Sequence, residues 1–296
     1  MIFTTTTFGK WILSGEQSVL RGHPALVFPL GNYQLQLTYT PTDNPLEIIS
    51  SHDFIVPIQR AWQLGWSQCA PLHPMANTGY LRIHSSIPIG QGMGASAAMC
   101  LAIARCILHY STHAIEPWLL AREMEHLFHG QSSGLDIIGA GSTQGTWFQN
   151  GTQRPLDLKW RPQWMLTKSN EIGMTSKAIA QVQALWQQQP DWAQEIDHRM
   201  ETSVNLLMQA LESPHALIDD LATGMKLAND CFKDWGLITP HMQLISDELY
   251  KRGALAVKPT GSGGGGYLLS LWNHSIPSST EDIAIILPDY NMSLPA

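Results

Sequence analysis

One short run of alternating glycines constrains this chain more than any other feature: Gly90-Gln91-Gly92-Met93-Gly94-Ala95-Ser96. Before it, Tyr80 to Ile87 reads as a strand that ends at Pro88. After it, Ala95 to His109 reads as an apolar helix. Glycines let a backbone approach an anion because no Cβ intervenes. The first N–H groups of a helix lack intrahelical partners, and the helix dipole favours negative charge there. Ser96 adds a hydroxyl at that end. A purely structural strand–turn–helix is the competing reading.

Two named phosphate loops fit less well. A Walker A loop needs a lysine before its Ser/Thr, and Ala95 holds that place. Gly90, Gly92 and Ala95 satisfy the dinucleotide-binding G-x-G-x-x-G/A pattern. That pattern expects a buried parallel strand leading in and an acidic residue ending the next strand. Pro88 interrupts the approach here, and Glu116 introduces a helix.

A second glycine run, Lys258-Pro259-Thr260-Gly261-Ser262-Gly263-Gly264-Gly265-Gly266, stands between two strand patterns, Ala254 to Lys258 and Tyr267 to Trp272. Linkers seldom sit between apolar strands. The run therefore reads as backbone passing close to another loop or to a ligand.

The rest of the chain supplies an α+β plan, strands first and helices later. Trp11 to Leu13, Ala25 to Leu30 and Tyr33 to Thr40 read as strands broken by Gly and Pro, and Tyr33 to Tyr39 alternates as if one face were solvated. A helix is expected near Phe54 to Leu64 and another over Glu116 to His129, with Pro117 in its first turn. Beyond residue 152 come helices over Ser176 to Leu185, Asp191 to Leu211, Pro214 to Trp235 and His241 to Arg252, and a last strand over Asp282 to Leu287. The expected domains are 1–152 and 153–296.

Two carboxylates stand out. Glu125 lies near the end of the helix over Glu116 to His129. Asp136 follows the polar turn His129-Gly130-Gln131-Ser132-Ser133-Gly134 and opens an apolar stretch. A carboxylate entering such a stretch is costly unless it is paired or functional. A magnesium site uses one or two carboxylates with phosphate oxygens and water, and another carboxylate can orient a hydroxyl and accept its proton. A solvated helix charge and a helix cap are the plainer readings of each alone.

Composition excludes some partners. With 17 basic against 24 acidic residues the chain carries a net charge of −7, which disfavours nucleic acid and acidic membranes. The four cysteines, Cys69, Cys100, Cys106 and Cys231, show no disulfide or zinc spacing and read as small buried hydrophobes of a reducing cytoplasm. The start, MIFTTTTFGKWIL, lacks signal-peptide character, and no stretch of 18 apolar residues would span a membrane. A homodimer is left open.

Three segments in order resemble the GHMP kinases, the family of galactokinase, homoserine kinase, mevalonate kinase and phosphomevalonate kinase. Gly9 to Ala25 is similar to G-K-x-x-L-x-G-E-H followed by G-x-P-A. Pro88 to Ala98 is similar to P-x-G-x-G-L-G-S-S-A-A, and Lys258 to Gly266 to K-x-T-G-A-G-G-G-G. Glu125, His129, Gly130, Ser133, Gly134 and Asp136 fit the mevalonate-kinase run in which H-G-x-x-S-G-x-D follows a metal-binding glutamate. The resemblance implies a two-domain GHMP fold, a ribosomal-protein-S5-like domain followed by a ferredoxin-like one. It implies ATP- and Mg²⁺-dependent phosphoryl transfer to a primary hydroxyl, that of mevalonate before others. The alternatives are a phosphomevalonate or sugar kinase, or a non-catalytic nucleotide or metabolite sensor.

By the same carry-over, Gly90, Gln91, Gly92, Met93, Gly94, Ala95 and Ser96 hold the ATP phosphates and Ser85 touches the nucleotide. Ser96 and Glu125 hold Mg²⁺. Asp136 faces the substrate hydroxyl, as base or as positioner, and Lys10 lies beside Asp136 and the γ-phosphate, where it neutralises transition-state charge. Glu16, Gln17, Ser176, Thr260 and Gly261 join Lys10 and Asp136 on the substrate side. Three departures accompany the match. Gln17 replaces a histidine and Ala95 a serine. Met174 replaces an arginine that would hold a carboxylate, for which Lys177 or Arg21 is the candidate substitute.

Overall fold

The computed structural model describes residues 1–51, 54–69, 73–273 and 285–286. They form two compact units that interleave along the chain. One comprises Met1–Lys10, Pro29–Pro88 and Gly94–Ser142; the other comprises Trp11–Phe28, Ile89–Met93 and the chain from Thr143 onward.

Strands β1 (Phe3–Ser14) and β2 (Ala25–Pro45) contribute residues to both units. The sequence reads Ala25 to Leu30 and Tyr33 to Thr40 as separate strands, yet β2 is continuous. Its partner changes instead: Ala25 to Val27 pair with β5 (Thr146–Gln149), and Leu35 onward pairs with β4 (Thr78–Ser85). Pro29 and Gly31 fall between those two ladders, where a missing N–H or Cβ costs least.

In the first unit β2 and β4 are antiparallel, with Leu37 opposite Ile83 and Tyr39 opposite Leu81. Strand β3 (Glu47–Ser50) adds to β4 in parallel. The alternation read from the sequence holds: Leu35, Leu37 and Tyr39 are buried, and Gln34 and Gln36 are exposed. Helix α1 (Ile55–Cys69) runs one turn beyond its expected end. Its Trp62 ring lies 5.2 Å from that of Tyr39, and the indole N–H donates to the Ala76 carbonyl at 3.1 Å. Helix α2 (Ala95–Tyr110) is buried without a break from Ala97 to Ala104, which accounts for the lack of charge in that stretch. Helices α3 (Pro117–His129) and α4 (Leu135–Gly141) complete this unit.

The second unit holds the hairpin of β5 and β6 (Thr152–Pro155) and a separate antiparallel sheet. That sheet runs in the order β10 (Ile285–Ile286), β7 (Gln163–Lys168), β9 (Tyr267–Trp272), β8 (Ala256–Thr260). The expected strand over Asp282 to Leu287 otherwise lies outside the described residues. Strand β7 was not anticipated, since Gln-Trp-Met-Leu-Thr-Lys has no β-branched run. It forms because β9 and β10 pair with both of its edges. Helices α5 (Thr175–Gln188), α6 (Pro190–Glu212), α7 (Ile218–Asp234) and α8 (Pro240–Lys251) follow the expected pattern within a few residues. Val182, Ile196, Met200, Phe232 and Trp235 pack as one core cluster, and Met165, Met242, Val257, Leu268 and Trp272 as another. Cys100, Cys106 and Cys231 are buried thiols, and Cys69 is half-buried. Among the described residues no helix is long and apolar enough to cross a membrane.

Candidate active site

The first unit gathers Lys10, Gly94, Glu125 and Asp136. Lys10, near the middle of β1, is 2% exposed, and its Nζ stands 2.8 Å from Asp136 Oδ1. Asp136 sits in the first turn of α4 and keeps about a third of its side chain open to solvent, at 34%. The lysine stem runs beneath the start of α2. A Cβ built on Gly94 would lie 2.7 Å from Lys10 Cγ, and Gly94 has φ 80°, so this N-cap position requires glycine twice over. Ala95 and Ser96 are the first residues of the helix. Ser85 ends β4, where its Oγ accepts from the Ile87 N–H at 3.1 Å.

Glu125 is 2% exposed on α3. The Ser132 hydroxyl donates to its Oε2, and the same hydroxyl oxygen accepts from the Gly134 N–H at 3.1 Å. Burial pushes the Glu125 carboxyl up to about 7, and the neighbouring Asp136 charge pushes the same way. The Ser132 hydrogen bond and Lys10 pull it down less strongly. The turn from Gly130 to Gly134 therefore does two jobs. It carries Ser132 to Glu125 and delivers Asp136 to Lys10. Ser132 is a residue that sequence reasoning missed, because it occupies an unconstrained place in the run after His129.

These groups suit a magnesium ion. Two carboxylates within electrostatic reach share one lysine, and burial first, the Asp136 charge second, disfavour the ionised form of Glu125, a cost that a bound cation would offset. Among the described residues no three His, Cys, Asp or Glu side chains converge, so protein donors alone would not complete a coordination shell.

The second unit gathers Glu16, Gln17, Thr260, Gly261 and the front of the glycine loop, Gly90 to Met93. Glu16 is buried and takes a 2.6 Å ion pair from Lys258, whose side chain is fully buried. That pair anchors the turn that precedes Gln17. Gln17 has φ 62° and donates its side-chain N–H to the Ser262 carbonyl at 3.0 Å. Its Oε1 is buried with no hydrogen-bond partner among the described residues. Thr260 Oγ1 bridges the Ile12 backbone, accepting from its N–H and donating to its carbonyl, each at 2.9 Å. Gly261 has φ 91°.

Ser176 lies exposed in the first turn of α5, beside Thr175, whose hydroxyl is 3.4 Å from Ser262 Oγ. Met174 and Lys177 are exposed. Arg21 is not a spare cation. It grips the buried Asp197 with two nitrogens, one at 2.7 Å, and lies over the Trp186 ring at 5.4 Å. The C-terminal glycine run is a hairpin loop closed by the Thr260–Tyr267 pair, and its backbone approaches that of Gln91 and Gly92. Of the two neighbours expected for it, the structure supplies another loop.

Residues 59–143 match the family model described as GHMP kinases N terminal domain. A mevalonate kinase of Thermococcus sibiricus is 27% identical over 201 residues, which cover 64% of this chain and 58% of that protein. The chain thus spans a little over half the length of that relative. Among solved structures, L. major mevalonate kinase in complex with R-mevalonate aligns with a TM-score of 0.74 at 21% identity, covering 92% of this chain and 88% of that one. Phosphomevalonate kinase of Streptococcus pneumoniae in complex with phosphomevalonate and AMPPNP aligns with a TM-score of 0.73 at 14% identity, covering 92% and 93%.

Proposed function

We propose that this chain, which shares the fold of GHMP kinases and matches their N-terminal domain over residues 59–143, transfers the γ-phosphoryl group of ATP to a primary hydroxyl, with mevalonate as the acceptor. The observation that carries the reading is the 2.8 Å pair of buried Lys10 with half-open Asp136, beside the buried Glu125. A carboxylate that is both lysine-bound and solvent-accessible can meet an incoming hydroxyl. Lys10, already desolvated, offers its charge to a phosphoryl group without reorganisation. Relatives named mevalonate kinase support the choice of acceptor.

In this reading Asp136 accepts a hydrogen bond from the acceptor hydroxyl, aligns it, and takes its proton as the phosphorus–oxygen bond forms. Lys10 offsets charge on the transferring group. The Gly90 to Ser96 segment presents backbone N–H groups to the phosphates. Glu125 and Ser96 would hold Mg²⁺, whose chemistry is to neutralise phosphate charge. Gln17 offers its buried acceptor oxygen to a donor group of the substrate. The enzyme would act in the cytoplasm on ATP and a small alcohol.

The test is ADP release by purified protein with ATP, Mg²⁺ and one alcohol at a time: mevalonate, phosphomevalonate, galactose or homoserine. Turnover with mevalonate alone is the expected result. Turnover with another alcohol alone moves the acceptor and keeps the chemistry. ATP binding without turnover on any alcohol would rule out the kinase reading for this panel.

A further inference from the structure

We propose that Tyr267 is a positioning residue for the nucleotide loop, holding Gln91 so that the loop is ordered before ATP arrives. The proposal rests on the reading of residues 90–96 as the phosphate cradle. Tyr267 opens β9 and is 3% exposed, fixed between Lys168 of β7 and Thr260 of β8. Its phenol donates to Gln91 Oε1 at 2.9 Å. The backbone beside it closes on the same loop. A Cβ on Gly266 would lie 3.2 Å from the Gln91 carbonyl oxygen, and one on Gly261 would lie 3.6 Å from that of Gly92. The flexible front of the loop is thus held by one side-chain hydrogen bond and by backbone contact on both sides.

A loop with three glycines loses more conformational freedom on ordering than a loop of the same length without them. If ATP had to supply that ordering, affinity would fall accordingly. A buried tyrosine on a central strand is a rigid anchor, with two side-chain torsions already fixed by packing. Gln91 is the residue it can reach, since the neighbouring Gly90 and Gly92 carry no side chain. The glutamine thereby acquires a role beyond its backbone amide.

Tyr267→Phe removes the hydroxyl and keeps the ring. Hydrogen exchange of residues 89–94 in the unliganded protein should speed up in this variant. The KM for ATP should rise about three- to tenfold, the worth of one net hydrogen bond, while kcat at saturating ATP and the KM for the alcohol stay within twofold. Gln91→Leu should raise the ATP KM by a similar factor, and the double variant should exceed neither single by more than about twofold, as expected when two changes remove one interaction. Unchanged loop exchange in Tyr267→Phe overturns the proposal. So does a fall in kcat with the ATP KM unmoved, or fully multiplicative effects of the two substitutions. If the wild-type protein takes no ATP in calorimetry, the nucleotide reading of the loop falls, and the exchange measurement still decides whether Tyr267 orders it.

Discussion

At the scale of single residues, the proposed chemistry concentrates in two carboxylates with opposite surroundings. Asp136 is half-open and lysine-bound; Glu125 is sealed and pushed up to about 7. Asp136→Asn keeps the shape and a hydrogen-bonding oxygen but removes the proton acceptor. It should lower kcat at least a thousandfold while the ATP dissociation constant moves less than about threefold; near-normal turnover would remove Asp136 from its central role. Glu125 makes a different prediction. Its folded value lies above the ordinary 4.5, so between about pH 4.5 and 7 the folded state binds more protons than the unfolded state. Its effect on stability is therefore least harmful below that window, and stability falls as pH rises through it, by roughly 3 kcal/mol in all. Glu125→Gln should remove this slope. Urea midpoints at pH 5 and pH 7.5 in metal-free buffer test it: the gain of the variant over wild type should be several times larger at the higher pH. A gain of equal size at both would refute the assignment.

At the scale of elements, the start of α2 is where packing and the proposed phosphate cradle coincide. Gly94 has a left-handed backbone, and its missing Cβ leaves room for the stem of Lys10. Gly94→Ala combines backbone strain with a collision against a buried lysine that is itself paired. A loss of about 2–4 kcal/mol is expected, with a rise in the KM for ATP larger than any produced by Gly90→Ala, since a Cβ at Gly90 meets nothing within 4 Å. Thermal melting and ATP kinetics on the two variants check this. The alternating glycines were legible in the sequence because they carry a spacing, and helices α2 and α3 because each carries a capping or breaking residue. The second sheet was less legible. Strand β7 has no local signature and exists through its partners, and the continuity of β2 across Pro29 follows from a change of neighbour that no local pattern encodes. Of the site, Lys10, Glu125 and Asp136 could be picked out. Ser132, Lys258 and Tyr267 could not, because their importance lies in contacts 7, 242 and 176 residues away.

At the scale of the whole chain, distant contacts hold the proposed substrate-side residues in place. Lys258 and Glu16 are both sealed from solvent and meet at 2.6 Å, joining the end of β1 to β8. Thr260 stitches the same two strands through Ile12. Together these contacts hold the turn that carries Gln17 beside the Ser262 carbonyl. A buried ion pair adds little net stability compared with a well-packed apolar pair, but removing one partner leaves a desolvated charge behind. Lys258→Met should therefore cost about 3–5 kcal/mol, and the double variant Glu16→Leu/Lys258→Met should recover more than half of that loss. Equilibrium urea unfolding of the four proteins closes the cycle. If the pair also positions Gln17, the stable double variant should keep its KM for ATP, while its KM for the alcohol rises by tenfold or more. Recovery of both stability and alcohol affinity would show that the ion pair holds the two strands together and nothing further.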